Sequence, residues 1–177
     1  QADRMRAFLA DPSRLAGPFR LIPVVRARVT GVFGRQTRLD DLEDVRGHGS
    51  LAREYTTTYR DHLESNEKVV AGQFWSGPSA DAEVSVEQRL RERFQIEIGD
   101  SVRFDILGRI VNARVTSIRE VDWRDSRAGG FMFVFRPGGL EKVPNTYAGF
   151  IKAPNDALER AEFQRRVLAG IHNVSVV

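Results

Sequence analysis

Residues 82–104 read "AEVSVEQRLRERFQIEIGDSVRF", and this stretch decides which kind of fold the sequence predicts. It is typical of a strand, a basic helix, a short apolar alternation and a Gly-Asp turn that leads into another strand. Val86, Leu90 and Phe94 recur every four residues, which places them on one buried stripe of the helix. Nothing in the stretch can do chemistry, so we interpret it as a structural unit.

The length and composition of the chain limit the kinds of protein that it can be. Its 177 residues, 41% of them hydrophobic, suffice for one good core or two small ones. The absence of cysteine excludes disulfides, thiolate catalysis and cysteine-bound zinc. No apolar run approaches the roughly 20 residues that span a bilayer. Because the chain starts at Gln1 without an initiator Met or an export signal, we expect it to be a piece of something larger.

The charge balance, a net +3 with a pI of about 9.7, raises the question of a nucleic-acid partner. The positive charge is nearly all arginine and is scattered among 24 acidic residues, whereas a nucleic-acid face concentrates its basic residues on one surface. The densest group points in different directions around the helix of the opening stretch, which favours a solvated face over a phosphate-binding patch: Arg89, Arg91 and Arg93. We therefore predict no nucleic-acid partner.

The middle of the chain predicts a series of strands. Period-2 alternation in "RLIPVVRARVTGV", residues 20–32, indicates a strand with one wet face. "REYTTTYRDHL", "KVVAG" and "FMFVF" predict further strands. "SVRFDI" and "RIVNARVTSI" predict a hairpin that turns at Leu107-Gly108. The polar stretch 35–50, "RQTRLDDLEDVRGHGS", predicts a mobile loop with one helical turn at most.

The two ends of the chain predict a different architecture. Residues 2–10 predict an amphipathic helix that ends at Asp11-Pro12. Near the other end, "TYAGFIKA" predicts a strand, Asp156 with Glu159 a capping box that starts a helix, and "NVSVV" a final strand. That helix should end at Gly170 and turn three apolar residues inward: Phe163, Val167 and Leu168.

With one further strand before Gln1, these ends would form a split β-α-β pair of the ferredoxin-like kind, interrupted by a β-rich insert. The predicted fold class is α+β. The predicted boundaries are 1–30 with 145–177 for the split β-α-β subdomain, and 31–144 for the insert.

No catalytic motif is present in the sequence. His48 lies close to Ser50, but residues two apart on a glycine loop lack a fixed geometry and no orienting carboxylate is evident. A polar turn offers four candidate metal ligands but is typical of a hydrated turn: Asp61, His62, Glu64 and Glu67. We predict no catalytic residue, no metal and no cofactor.

Taken together, the quoted segments resemble the large extracytoplasmic domain of bacterial ABC transporter permeases of the FtsX/MacB type, and most of all the YbbP family. The resemblance covers nearly the whole chain, and its most specific pieces are "VVRARVT", "TYRDHL", "EVSVEQ" followed by "IGD", and "VDW". Two departures concern possible contacts. Phe74-Trp75 stands where relatives commonly have two tryptophans, and "RAGGFMFVF" stands where Asn and Phe are more usual.

The resemblance implies a porter-like subdomain of split β-α-β type that holds an inserted β-rich subdomain called Sabre. It implies a non-catalytic role at the periplasmic face of the inner membrane, where the domain transmits motion driven by a cytoplasmic ABC ATPase subunit and handles a hydrophobic or lipid-like substrate. The implied partners are the transmembrane part of the same permease and a periplasmic thioesterase or lysophospholipase. Residues 82–104 would then form the Sabre core with these side chains: Val84, Val86, Leu90, Phe94, Ile96 and Ile98.

Two tryptophans lack the periodic apolar neighbours of a strand core, and we therefore predict a surface that contacts a lipid or an acidic partner. Its residues would be Phe74, Trp75, Trp123, Arg124, Arg127 and Phe131. Burial of both rings as plugs at the end of a sheet is the alternative for these positions. The alternative for the whole chain is a freestanding enzyme or a basic binding module, which would show a deep pocket with a residue of perturbed pKa.

Overall fold

A computed structural model describes residue 7 and residues 19–125, 130–138, 140, 143, 146–151 and 156–170. The described elements comprise nine strands, three α-helices and one 3₁₀ turn at Gly49–Ala52. The strands are β1 (Phe19–Phe33), β2 (Arg38–Leu39), β3 (Glu54–Tyr59), β4 (Glu67–Gly72), β5 (Glu83–Glu87), β6 (Ser101–Ile106), β7 (Arg109–Val121), β8 (Phe133–Phe135) and β9 (Thr146–Ile151). The helices are α1 (Leu42–Gly47), α2 (Gln88–Phe94) and α3 (Ala157–Gly170).

Six of the strands pair in a closed ring. Around the ring the order is β1, β3, β8, β5, β7, β6 and back to β1, with β3–β8 and β5–β7 parallel and the other pairs antiparallel. β7 is long enough to pair with β6 along its first half and with β4 along its second half. β2 and β9 pair with β1. The fold is thus a mixed α/β structure that is rich in strands and has few helices.

The inside of the ring is filled by side chains from the inward phase of each strand, as expected for a ring of this size. An aromatic cluster lies at its centre, where the Phe104 ring packs edge-to-face against Phe133 and Phe135 at centroid distances of 5.1 and 4.9 Å. Tyr55 packs on Phe133 in the same way, and burial raises the pKa of its hydroxyl above the usual value. These contacts make the ring interior one continuous apolar core.

The opening stretch, residues 82–104, forms the strand, helix and strand that its sequence predicts. Val86, Leu90 and Phe94 are all buried, which confirms the stripe. A left-handed Gln95 ends α2, and the Asp100 carboxylate accepts the Glu97 N–H at 2.7 Å to close the turn. Ile96 is buried as expected, but the prediction for Ile98 was wrong because its side chain lies over Gly72 on the outside and stays exposed.

The segment predicted to be a loop contains regular structure, namely β2, α1 and the 3₁₀ turn at Gly49–Ala52. The Asp41 carboxylate accepts the N–H groups of Glu43 and Asp44, which caps α1. Val45 and Leu51 then anchor this segment in the core. The sequence showed the polar surface of the segment but not the two apolar anchors beneath it.

The chain separates into two compact units, Gln1–Ile22 with Tyr147–Val177, and Pro23–Thr146, which we call unit 1 and unit 2. β1 contributes residues to both units and runs through Thr30 and Gly31, where its register with β6 shifts. The boundaries predicted at residues 30 and 145, the split β-α-β arrangement and the Sabre arrangement stay predictions. The helix at residues 2–10 and the strand "NVSVV" lie outside the described residues, apart from Ala7.

In unit 1, the Asp156 carboxylate accepts the N–H groups of Leu158 and Glu159, which confirms the predicted start of α3. Val167 is buried and Phe163 half-buried, as expected. Leu168 is exposed, so the prediction that it turns inward was wrong. Among the helices of the described ranges, none is both long and apolar enough to cross a membrane.

Candidate functional site

A network of buried charges lies where β3, β4 and β7 meet. The Arg119 guanidinium on β7 is fully buried, and its Nη1 donates to Glu67 Oε1 on β4 at 2.6 Å. Arg60, which follows β3, donates from Nη2 to both Glu67 oxygens at 2.6 and 2.7 Å. One carboxylate therefore holds two buried cations and ties three chain segments together.

Arg119 has further partners that fix the orientation of its side chain. Its Nε donates to Ser85 Oγ at 2.9 Å, and its Nη2 donates to the Phe131 carbonyl at 3.0 Å. Burial lowers the pKa of Arg119 to about 10, and the negative charge of Glu67 opposes that effect. The group is thus still a cation at neutral pH, held by partners on β4, β5 and the segment before β8.

Glu87 connects this buried network to Trp123. Its carboxylate caps α2 by accepting the Arg89 N–H at 2.9 Å, and its charge helps to keep Arg119 protonated. Its other oxygen lies 3.5 Å from the indole Nε1 of Trp123, which donates to it. The Trp123 ring also packs against Gly130 so closely that a side chain there would collide with it. The ring position is therefore set from both sides.

An open depression lies beside Trp123, above the network, with a volume of about 580 Å³. We call it the Trp123 depression. It contains cations and carboxylates in similar numbers, and within it the Arg124 guanidinium pairs with Asp122 at 2.9 Å. That hydrogen bond lowers the pKa of the Asp122 carboxyl. Its lining residues are Ser65, Asn66, Glu67, Lys68, Arg89, Glu120, Val121, Asp122, Trp123, Arg124 and Asp125.

The structure places the predicted contact residues in two groups. Trp75 is buried, and its Nε1 donates to the Arg60 carbonyl at 2.7 Å, while the half-buried Phe74 ring stacks on it at 4.2 Å. Trp123 is half-buried and Arg124 is exposed at the depression. Phe131 is half-buried and lends its carbonyl to Arg119. Arg127 lies outside the described residues.

The residues considered for catalysis do not form a reactive arrangement. His48 Nδ1 lies 3.0 Å from the Asp44 carbonyl, and the carbonyl of Ser50 accepts the Tyr55 hydroxyl. Across the described part of the chain, no three His, Asp or Glu residues are placed to hold a metal ion. The interpretation of residues 61–67 as a hydrated turn was wrong for Glu67, which is buried by the pairing described above.

Sequence reasoning missed the buried network, although one signal for it was present. On β7 the inward phase of the alternation runs through Val115, Ser117, Arg119 and Val121. An arginine on the inward phase of an amphipathic strand requires a buried carboxylate, because an unpaired charge inside a core is costly. The position of Arg119 in this alternation therefore indicates that an acidic residue faces it in the fold.

The chain is similar to a curated protein over most of its own length. The chain is 35% identical over 147 residues to the uncharacterized ABC transporter permease YbbP of Escherichia coli (strain K12). The match covers 83% of this chain but only 17% of that protein, so the chain spans about a sixth of its relative. A crystal structure of a domain from a Porphyromonas gingivalis permease protein matches with a TM-score of 0.43 and 11% identity, covering 89% of this chain and 68% of that one. No protein-family model matches the chain.

Proposed function

This chain is homologous to one segment of the ABC transporter permease YbbP, and on that basis we propose that it is the extracytoplasmic domain of such a permease. The 35% identity over 83% of the chain is the observation that carries the proposal. In this role the domain lies at the periplasmic face of the inner membrane, joined to the transmembrane part of the same permease. It performs no chemistry and passes on motion that originates at a cytoplasmic ABC ATPase subunit.

The construction of unit 2 supports a mechanical role. A ring of six strands has no free edge along its circumference, and its apolar core is continuous. The buried Arg60–Glu67–Arg119 network joins the end of β3 to β4 and β7 through short charge-assisted hydrogen bonds. A unit that resists bending can pass a displacement from one end to the other, which a flexible domain would absorb.

The Trp123 depression is our proposed contact surface for a hydrophobic, lipid-like substrate or for an acidic partner protein. Trp123 offers an apolar face at its rim, and Lys68 and Arg89 form no ion pair with another described residue. Arg124 lines the depression, whereas Phe74 and Phe131 do not, and they stay in the proposal as half-buried groups together with Arg127. Trp75 contributes from beneath Phe74. The family resemblance alone supports a thioesterase or lysophospholipase as the partner.

Distances between spin labels in the full permease with its ATPase subunit test the proposed transmission of motion. The chain has no cysteine, so paired cysteines introduced at exposed positions label it selectively. Labels at Val70 and Ile110 report on unit 2, and labels at Ile110 and Leu158 report between the two units. We expect ATP to leave the first distance unchanged and to shift the second. A change within unit 2, or no change in either distance, would contradict the proposal.

A further inference from the structure

Two neighbouring threonines of β3 donate hydrogen bonds from their side chains to the backbone of β1. Thr58 Oγ1 donates to the Pro23 carbonyl at 2.7 Å, and Thr57 Oγ1 donates to the Val25 carbonyl at 2.9 Å. Both threonines are fully buried. A valine has a similar shape and is buried at a lower cost, because a hydroxyl needs a hydrogen-bond partner inside a protein. Packing alone does not require the two hydroxyls, and what they add is an attachment of β1.

The two bonds lie where the backbone pairing of β1 with β3 ends. Val25 and Thr57 are the last paired residues of that ladder, and from Thr58 onward β3 pairs with β8. The Thr58 hydroxyl thus extends the attachment two residues past the ladder, to Pro23, the first residue of unit 2. Because a proline has no N–H, its carbonyl is the backbone group that remains for a hydrogen bond at this position.

The other strand that leaves unit 2 is attached at the same place. Thr146 is the last residue of unit 2 and the first of β9, and its Oγ1 donates to the Val24 carbonyl at 3.4 Å. This distance makes it the weakest of the three bonds. Three consecutive carbonyls of β1, at residues 23, 24 and 25, therefore accept three threonine hydroxyls. We call this group of bonds the threonine anchor.

We propose that a displacement of β1 or β9 enters unit 2 at the threonine anchor, with Thr57 and Thr58 as its main positioning residues. The proposal rests on the mechanical role proposed above and assigns the coupling to named side chains. Backbone pairs attach β1 to β3 from Val25 onward, but residues 23 and 24 lie between that ladder and the first residue of the unit. Without the hydroxyls, these two residues shift before the ring follows, and part of the displacement is lost.

Label distances in the full permease with its ATPase subunit test the coupling. The double variant Thr57→Val, Thr58→Val removes both hydroxyls and keeps the branched shape, whereas Thr57→Ser, Thr58→Ser keeps the hydroxyls. We expect the ATP-dependent shift between labels at Ile110 and Leu158 to be largely lost in the valine variant and to persist in the serine variant. The distance between Val70 and Ile110 should stay the same in both.

Thr56→Val is the matched control for the valine variant. Thr56 lies on the same strand and is exposed, and its hydroxyl forms no hydrogen bond with another described residue. The control should show the full shift of the wild type.

Amide exchange in the same permease without nucleotide measures the attachment of β1 directly. In the valine variant, the amides of residues 24 and 25 should exchange about five-fold faster, as expected for the loss of one hydrogen bond. The amides of β6 and β7 should exchange as in the wild type, which separates loss of the anchor from a general loss of stability.

Several results would overturn the proposal. A full shift in the valine variant would show that the hydroxyls do not couple the strands to the ring. An equal loss in the serine variant would assign the effect to packing, and faster exchange throughout β6 and β7 would assign it to stability. Unchanged exchange at residues 24 and 25 would show that β1 is held by other contacts. A wild type without any ATP-dependent shift would overturn the mechanical role as well, whereas the other outcomes leave that role in place.

Discussion

Two arginines five residues apart show how differently the same side chain behaves in two regions of unit 2. Arg119 pairs with Glu67 at 2.6 Å, and the two side chains are 0% and 1% exposed. Arg124 pairs with Asp122 at 2.9 Å, and those side chains are 92% and 47% exposed. The distances are similar, but only the buried pair has partners on several strands. The N···O distance alone therefore does not show which ion pair stabilises the fold. The burial of the two side chains distinguishes them.

Replacing Arg119 should have the largest effect. Arg119→Ala leaves Glu67 buried with one cation instead of two, and it also removes one hydrogen-bond donor to Ser85 and one to the Phe131 carbonyl. We expect the free energy of unfolding to fall by about 3–5 kcal/mol. Urea denaturation followed by circular dichroism measures it. A loss below about 1 kcal/mol would show that the buried pair is no more important than the exposed one.

The two tryptophans also differ in burial, so removing each of them should cost a different amount of stability. Trp75→Ala removes a buried ring and its hydrogen bond to Arg60, so it should cost about 3 kcal/mol or more. Trp123→Ala removes a half-buried ring and should cost roughly half as much or less. Thermal unfolding of both variants, measured side by side, decides the order. Equal losses would place Trp123 in the structural core and remove it from the proposed contact surface.

The Glu83 carboxyl makes the stability of the fold depend on pH. Burial would raise the pKa of this carboxyl, but hydrogen bonds from Arg136 and Arg114 outweigh burial and lower it below its ordinary value of 4.5. A carboxyl with a lowered folded-state pKa stabilises the protein above its unfolded-state pKa, and that contribution is lost as the pH falls below about 4.5.

Glu83→Gln removes this titration. We expect a smaller difference in unfolding temperature between pH 7 and pH 3.5 for Glu83→Gln than for the wild type. Asp81→Asn, a neighbouring exposed carboxyl, is the control and should leave the wild-type difference in place. If both variants behave alike, the pairing with the two arginines does not contribute to acid sensitivity.

Removing the exposed pair should have the smallest effect. Arg124→Ala breaks only the contact with Asp122, which water and salt screen, so the free energy of unfolding should stay unchanged within the error of the measurement. The same denaturation experiment measures it at low and high salt. A loss comparable to that of Arg119→Ala would mean that Arg124 has a structural partner and is not a surface residue available for binding.

The sequence predicts the elements whose periodicity is strong. The alternation in β1 and β7 and the stripe of Val86, Leu90 and Phe94 identify strands and helix correctly, because each pattern reports which face is buried. The same reasoning failed for Ile98, which lies between α2 and β6, and for Leu168, which lies in the last turn of α3. Such residues pack according to neighbours that are distant in sequence, and local spacing does not reveal those neighbours.

Local sequence patterns also could not predict the closed ring and the buried network, because both depend on contacts between distant parts of the chain. The ring depends on parallel pairs such as β3–β8, whose strands are more than 70 residues apart in the chain. The network depends on Glu67 meeting Arg119 across 52 residues. Glu67 looks like one of several acids in a polar turn until β4 is placed beside β7, after which its burial follows from the pairing register.

We propose that unit 2 moves as a rigid body when the permease works, and amide hydrogen exchange can measure whether its strands stay paired. The full permease with its ATPase subunit is compared without nucleotide and with ATP. We predict that the protected amides of β5, β6 and β7 exchange equally slowly in both states, because the ring stays intact while the domain moves. Faster exchange in these strands with ATP would show that the ring opens during the cycle, and it would contradict the account.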